Sequence, residues 1–328
     1  MNILYGTTLG WNPGDELILK GIRNLINIDH NAIYYNRHPY VNRESNPQSY
    51  RFDLGTEYID HVVFAGTPEW NRECLDMYRA IAEYDIPFSF LGVGGHTCAQ
   101  EQVYNASGLG TYVPGLLNER VYGKAKAKIA RDRWAKLAIH DSTLVCCPSF
   151  FANDCLDLEP RRKLRKVAVS WQDGSVSVCG VRNPLLVEAV TKFAKEHDLP
   201  AICHSYDDFV SASHRGLKAI YSSHFEDFFD VYKEFDLIVG FRIHAGGFAS
   251  TLGIPSLIIP HDERANAVRH FGSVVCKHQD LGDTFDQIDN NWIQEQSEKI
   301  MELKKEKYNQ FVKLIPHLRK RGSKEKEK

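Results

Sequence analysis

The segment Asp236 to Arg264, DLIVGFRIHAGGFASTLGIPSLIIPHDER, concentrates the residues best suited to chemistry. Leu237, Ile238 and Val239 predict a buried strand, Gly240 permits a tight bend, and Arg242 and His244 follow two positions apart. Alternate residues of an extended segment point to the same side, so the guanidinium and the imidazole are expected to share one cavity. The planar fork of Arg242 matches a carboxylate or phosphate, while His244 titrates near neutrality and can move a proton. Ala245, Gly246 and Gly247 carry almost no side-chain bulk, which predicts backbone N–H groups open to an anion where the next helix begins. The competing reading is a paired core Arg beside a hydrogen-bonded His. The cost of burying a lone charge and the strand-end position favour a site.

A second candidate lies in Leu91-Gly92-Val93-Gly94-Gly95-His96, where His96 is expected at a strand end. Thr97 breaks the dinucleotide-binding glycine pattern, so no nicotinamide or flavin cofactor is expected. The following stretch, Gly94 to Tyr122, is rich in Gly, Tyr and polar residues without a helical or strand period, as in a binding loop or lid. Neither His96 with Cys98 nor His261 with Asp262 and Glu263 reproduces a zinc or calcium spacing, so no metal is expected.

The elements that must position these residues alternate strand and helix, as a parallel sheet requires. Asn2–Tyr5, Ala32–Tyr35, His61–Ala65, Phe88–Val93, Lys128–Ala130 and Thr143–Cys146 predict strands of a first domain, with a helix after the turn Gly10-Trp11-Asn12-Pro13-Gly14 and others over 70–84 and 132–139. The charged segment 156–166 marks a connection. Beyond it Val167–Ser170, Ala201–His204, Leu237–Val239, Ser256–Ile259 and Ser273–Cys276 predict a second set, and a long amphipathic helix begins near Asn291. The expected organisation is an α/β protein with two Rossmann-like domains, residues 1–155 and 156–290, whose parallel sheets face a cleft. A C-terminal helix over 291–318 and a charged tail over 319–328 follow. Ligands of such sheets sit at the C-terminal strand ends.

A length of 328 residues suits two domains. With 43% hydrophobic and 25% charged residues the chain is neither disordered nor fibrous in type, and a net charge of −2 supplies no general attraction to nucleic acid. The N-terminus has no signal-peptide pattern, no apolar run is long enough to span a bilayer, and the eight cysteines lack a disulfide or CxxC spacing. A cytoplasmic location is the expectation.

Three motifs in order carry a resemblance. Gly10-Trp11-Asn12-Pro13-Gly14-Asp15-Glu16 follows the first strand, Arg131-Asp132 follows a middle one, and Arg242-Ile243-His244-Ala245 precedes Gly253-Ile254-Pro255. This order resembles the polysaccharide pyruvyl transferase family. The chain departs from that pattern at Ala135, where many members have Ser, at Arg264, where Lys is common, and at Gly66-Thr67-Pro68-Glu69-Trp70, where the turn is usually richer in glycine.

The resemblance implies transfer of a pyruvyl group from phosphoenolpyruvate to two hydroxyls of a sugar or glycan, free or lipid-linked, on a glycosyltransferase-B-like scaffold. The donor carries a carboxylate and a phosphate, which call for at least two cations. Arg242, Arg131 and Arg264 are the candidates, His244 the expected acid with His96 beside it, and Asn12 and Asp15 the candidate contacts to acceptor hydroxyls. Asp15 and Glu16 also suit a helix N-terminus without any further role. The rival readings are a nucleotide-sugar glycosyltransferase and a non-catalytic glycan- or anion-binding protein on the same scaffold.

Overall fold

The computed structural model describes residues 1–7, 12–36, 58–66, 75–95, 123–139, 141–173, 184–260 and 263–319. The first part comprises β1 (Asn2–Thr7), α1 (Pro13–Ile26), β2 (Asn31–Asn36), β3 (His61–Ala65), α2 (Leu75–Tyr84), β4 (Phe88–Val93), β5 (Ala127–Ala130), α3 (Arg133–Ala138) and β6 (Thr143–Leu144). The second part begins with β7 (Val167–Trp171), α4 (Pro184–Glu196), β8 (Pro200–Cys203), α5 (Tyr206–His214), β9 (Lys218–Ile220) and α6 (Asp227–Lys233). It continues through β10 (Leu237–Gly240), α7 (Ile243–Thr251), β11 (Ser256–Ile258), β12 (Val274–Val275), α8 (Leu281–Asp286) and α9 (Asn290–Leu314). The charged segment 156–166 has no helix or strand and runs between the two parts.

Among the described residues the strands form two six-stranded parallel sheets, ordered β2-β1-β3-β4-β5-β6 and β12-β11-β10-β7-β8-β9. Parallel strands covered on both faces must be apolar throughout, and every residue of β3 and β4 is buried. Chain order reverses between β1 and β3 in one sheet and between β7 and β10 in the other. Such switch points open a crevice at the carboxyl edge of the strands.

Local sequence explains how α1 starts and stops. Asn12 caps it by accepting from the Gly14 N–H, Pro13 occupies the first turn, Asp15 and Glu16 face the positive end of the dipole, and Asn27 ends it in the left-handed region at φ 45°. The long helix α9 joins two cores. Ile293 packs in the cluster that holds Val169 and Leu237 of the second sheet, while Ile300 and Phe311 pack in the cluster that holds Ile3 and Tyr5 of the first. Between these contacts Lys304 is fully buried, and its ammonium donates to the carbonyls of Asn153 (2.7 Å), Cys155 (2.9 Å) and Thr251 (3.0 Å). An ammonium has three donors, and all three are used.

The chain after α9 is fastened to the amino ends of the central strands β3 and β4. Ser89 Oγ lies 3.0 Å from His61 Nε2 and 3.1 Å from His317 Nε2. Burial, followed by the charges of His317 and Lys126, pushes the His61 pKa down to about 3. An unfolded chain protonates His61 near pH 6.5, whereas the folded one resists until about 3. The unfolded state therefore binds more protons in that window, and stability falls as pH drops through it, by up to about 1.4 kcal/mol per pH unit for one such group. His61→Gln is expected to flatten this acid limb in urea titrations across the window. Identical pH slopes for variant and wild type would remove His61 as the cause.

Candidate functional site

The two switch points meet through a glycine and an imidazole. Gly14 is the second residue of α1, directly after β1 and its loop, and a Cβ placed on it would lie 2.0 Å from His244 Nδ1. The His244 ring therefore rests on the backbone of the α1 N-terminus, and a side chain at position 14 would occupy its place. Asn12, besides capping, donates to Asp15 Oδ2 at 3.2 Å, and Asp15 is nearly buried. The N-terminal and C-terminal motifs thus share one location.

The route by which Arg242 and His244 reach it differs from the extended pair expected. Arg242 is the extended residue just before α7 (φ −79°, ψ 122°), and His244 is already in the first turn of that helix. Gly246 and Gly247 are inside the helix rather than ahead of it. A Cβ on Gly246 would meet Ser273 Oγ at 3.0 Å, and one on Gly247 would meet Ser149 Oγ at 2.9 Å. Their smallness lets α7 pack closely against neighbouring elements, which corrects the expectation that they expose backbone N–H groups to an anion.

Arg242 is held from one side. Its Nη2 donates to Asp208 Oδ2 at 2.9 Å, and the other Asp208 oxygen accepts from the Asp173 N–H at 2.9 Å. Asp208 sits in the first turn of α5, whose Ser205 cap accepts from the Asp208 N–H. A single buried carboxylate therefore ties the guanidinium to the turn after β7. Arg242 Nε is buried and has no hydrogen-bond partner among the described residues.

A second buried polar atom without a hydrogen-bond partner among the described residues, His204 Nδ1, follows the nearby strand β8. His204 Nε2 is 2.8 Å from the Tyr232 hydroxyl on α6. Burial, then the charges of Arg242 and His244, hold the His204 pKa well below its usual 6.5, so this ring is neutral at physiological pH. Buried polar groups are ordinarily hydrogen-bonded, so the two orphans, Arg242 Nε and His204 Nδ1, stand out at the carboxyl edge of the second sheet. Neither His204 nor Asp208 was singled out from sequence. His204 ends a predicted strand, and the rule that ligands gather at carboxyl edges was the signal available for it.

Arg131 occupies the matching edge of the first sheet. Its Nη1 donates to the Gly66 carbonyl at 2.6 Å, its Nε lies 3.7 Å from Asp132 Oδ2, and a Cβ on Gly94 would fall 2.4 Å from that Nε. Burial works to lower its pKa, but Cys147, Asp132 and Asp15 outweigh it and the pKa is raised, so the group is a permanent cation. Asp132 caps α3 through the Ala135 N–H and also accepts from the Gly95 N–H. The Arg131-Asp132 pair thus fixes the turns after β3 and β4. His96 lies outside the described residues, as do the Arg264 side chain and most of the 94–122 loop.

Among the described residues no group of three or more His, Cys, Asp or Glu could hold a metal ion, and no helix is long and apolar enough to cross a membrane.

Solved structures of similar fold share little sequence with this chain. A UDP-GlcNAc 2-epimerase from Neisseria meningitidis bound to UDP-GlcNAc superposes with a TM-score of 0.55 at 11% identity, covering 97% of this chain and 99% of the epimerase. S. aureus MnaA with UDP gives 0.55 at 12% over 90% of each chain. The glycosyltransferase SnogD from Streptomyces nogalater gives 0.51 at 13%, covering 97% and 99%. These likenesses establish the glycosyltransferase-B-type fold and no activity. No curated protein sequence matches the chain. A family model for polysaccharide pyruvyl transferase matches residues 12–263, a span that contains Asn12, Gly14, Arg131, Asp208, Arg242 and His244. The chain belongs to the polysaccharide pyruvyl transferase family.

Proposed function

We propose that the chain transfers a pyruvyl group from phosphoenolpyruvate to two hydroxyls of one sugar in a glycan, leaving a ketal and free phosphate. The observation that carries this reading is the pair of orphaned atoms, Arg242 Nε and His204 Nδ1, beside a histidine resting on α1. A small, doubly anionic donor suits such a pocket. The guanidinium complements its carboxylate or phosphate, and neutral donors complete the remaining lone pairs.

His244 is the general acid in this reading. Proton delivery from its imidazolium to the methylene carbon leaves the central carbon electrophilic, and the first acceptor hydroxyl adds there as its own proton is lost. Cleavage of the carbon–oxygen bond to phosphorus then releases phosphate, and the second hydroxyl closes the ketal with loss of its proton. Arg242, with Arg131 across the cleft, stabilises the charge that develops on the departing phosphate. In this reading Asn12 and Asp15 are the contacts to the acceptor hydroxyls.

Solved relatives of the fold were crystallised with UDP or UDP-GlcNAc, which makes a nucleotide-sugar donor the reading to exclude. Thermal stabilisation by phosphoenolpyruvate but not by UDP-sugars, with phosphate released when a glycan pool is added, is the expected result. Stabilisation by UDP-sugars alone would overturn the proposal.

A further inference from the structure

The imidazole of His204 is locked in place at the carboxyl end of β8. It is 2% exposed, and three aromatic rings pack edge-on against it: Phe228 at 5.0 Å, Phe248 at 5.5 Å and Tyr232 at 6.0 Å between centroids. Phe248 also stacks on Tyr232 at 5.0 Å and follows His244 by four residues, so it lies on the same face of α7 as that histidine. The His204 ring is therefore wedged between α6 and the helix that carries His244, and the charges of Arg242 and His244 both act on it.

This neutral ring carries one proton, and its neighbours decide where. Nε2 lies 2.8 Å from the hydroxyl of Tyr232, a fully buried residue. A hydrogen bond from Ser170 on β7 opposes the rise that burial causes in the Tyr232 pKa, and a neighbour with that effect is one that donates to the phenol oxygen. The Tyr232 hydroxyl then has no acceptor among the described residues except His204 Nε2. Were Nε2 to carry the proton, two donors would face one oxygen and the tyrosine O–H would be buried unpaired, an arrangement that folded proteins avoid. Donation thus runs from Ser170 to Tyr232 to His204 Nε2, and the proton sits on Nδ1.

Nδ1–H is across Cε1 from Nε2, so it points away from Tyr232, and it has no acceptor among the described residues. Arg242 Nε–H, the other orphan, is a donor as well. Two buried N–H groups without acceptors call for oxygen lone pairs. A carboxylate or phosphate supplies these without bringing a proton that needs an acceptor of its own.

We infer that His204 binds the anionic donor: its Nδ1–H donates to an oxyanion of phosphoenolpyruvate, and Tyr232 is the positioning residue that fixes the tautomer able to do so. The inference rests on the function proposed above and deepens it, since it assigns a neutral donor group beside the cation Arg242.

Two substitutions separate the ring's nitrogens, because the amide nitrogen of Asn can take the place of Nδ1 and that of Gln the place of Nε2. Calorimetric titration of the full chain with phosphoenolpyruvate is expected to show affinity close to wild type in His204→Asn and a loss of about 10-fold or more in His204→Gln, the scale of one hydrogen bond to a charged group. A structural role alone predicts the opposite order, since Gln keeps the Tyr232 contact and Asn loses it. That order, or equal affinity in the two variants, overturns the inference. Nitrogen-15 spectra of histidine-labelled wild type read the tautomer without any substitution. A protonated Nδ1 that shifts on addition of phosphoenolpyruvate, with the proton moving toward Nε2 in Tyr232→Phe, is expected; a protonated Nε2 in wild type overturns the inference. The expected order of affinities without ketal formation from a glycan pool would retain the site and sink the proposed reaction. Ketal formation with an unaltered KM for phosphoenolpyruvate in His204→Gln would do the reverse.

Discussion

His244→Ala should reduce pyruvate incorporation into glycan by roughly 10³-fold, within the range expected when a positioned acid is removed. The substitution deletes a ring that lies over Gly14 and is only partly buried, so the fold should survive and phosphoenolpyruvate should still raise the melting temperature through Arg242. A large drop in turnover with retained donor binding is the signature of an acid rather than a clamp. Activity within a few-fold of wild type would take His244 out of the chemistry. A loss of donor binding with unchanged turnover at saturation would instead make it a binding residue.

Gly14→Ala makes a comparable prediction from the other side of the contact. Ala is favoured over Gly in a helix by up to about 1 kcal/mol, and Gly14 lies within α1 at a backbone angle that Ala can adopt. Considered as helix chemistry alone, the change should be neutral or stabilising. The added methyl would nevertheless sit 2.0 Å from His244 Nδ1 and 2.1 Å from its Cγ, so the ring must leave. The expected result is a protein with an undiminished melting temperature that has lost at least 10²-fold in transfer rate, a displaced acid being nearly as damaging as a missing one. An active Gly14→Ala enzyme would show that the present ring position does not matter to catalysis. A compensating His244→Gln in the same chain should restore nothing, which separates displacement of the imidazole from simple crowding.

Much of the scaffold was legible in the sequence because its strands are short, fully buried and punctuated. His61–Ala65 and Phe88–Val93 were read with the boundaries observed, and α1 was expected directly after the turn that ends at Gly14, against an observed start at Pro13. The strand Lys218–Ile220 was not read. It is three residues long, lies at the edge of its sheet and begins with an exposed Lys, so it lacks the apolar run that identifies a buried strand. Helix α7 was placed too late for a different reason. Adjacent glycines at 246 and 247 oppose helix formation locally, and the helix exists because close packing against the residues around Ser149 and Ser273 outweighs that preference.

The site was legible as two motifs but not as one place. Nothing in the spacing of Gly14 and His244 announces that they touch across 230 residues of chain, since contact depends on how two sheets are set against each other. Asp208 was invisible for the same reason. In sequence it is one more acid in the first turn of a helix, and only the fold brings it to Arg242. Alternation along an extended strand gave the right neighbours for Arg242 and His244 through the wrong local geometry.

The ammonium of Lys304, gripping carbonyls just ahead of the connection and at the end of α7, has a bearing on how this chain can be dissected. Cutting the polypeptide in the connection would leave the amino-terminal piece without Phe311, Ile315 and Leu318, which complete its interior, and the carboxyl-terminal piece with a helix whose far half is stripped of cover. Neither fragment is a self-sufficient unit. Co-expression of the two pieces, or circular permutation that keeps α9 continuous, is the practical route to studying the halves apart.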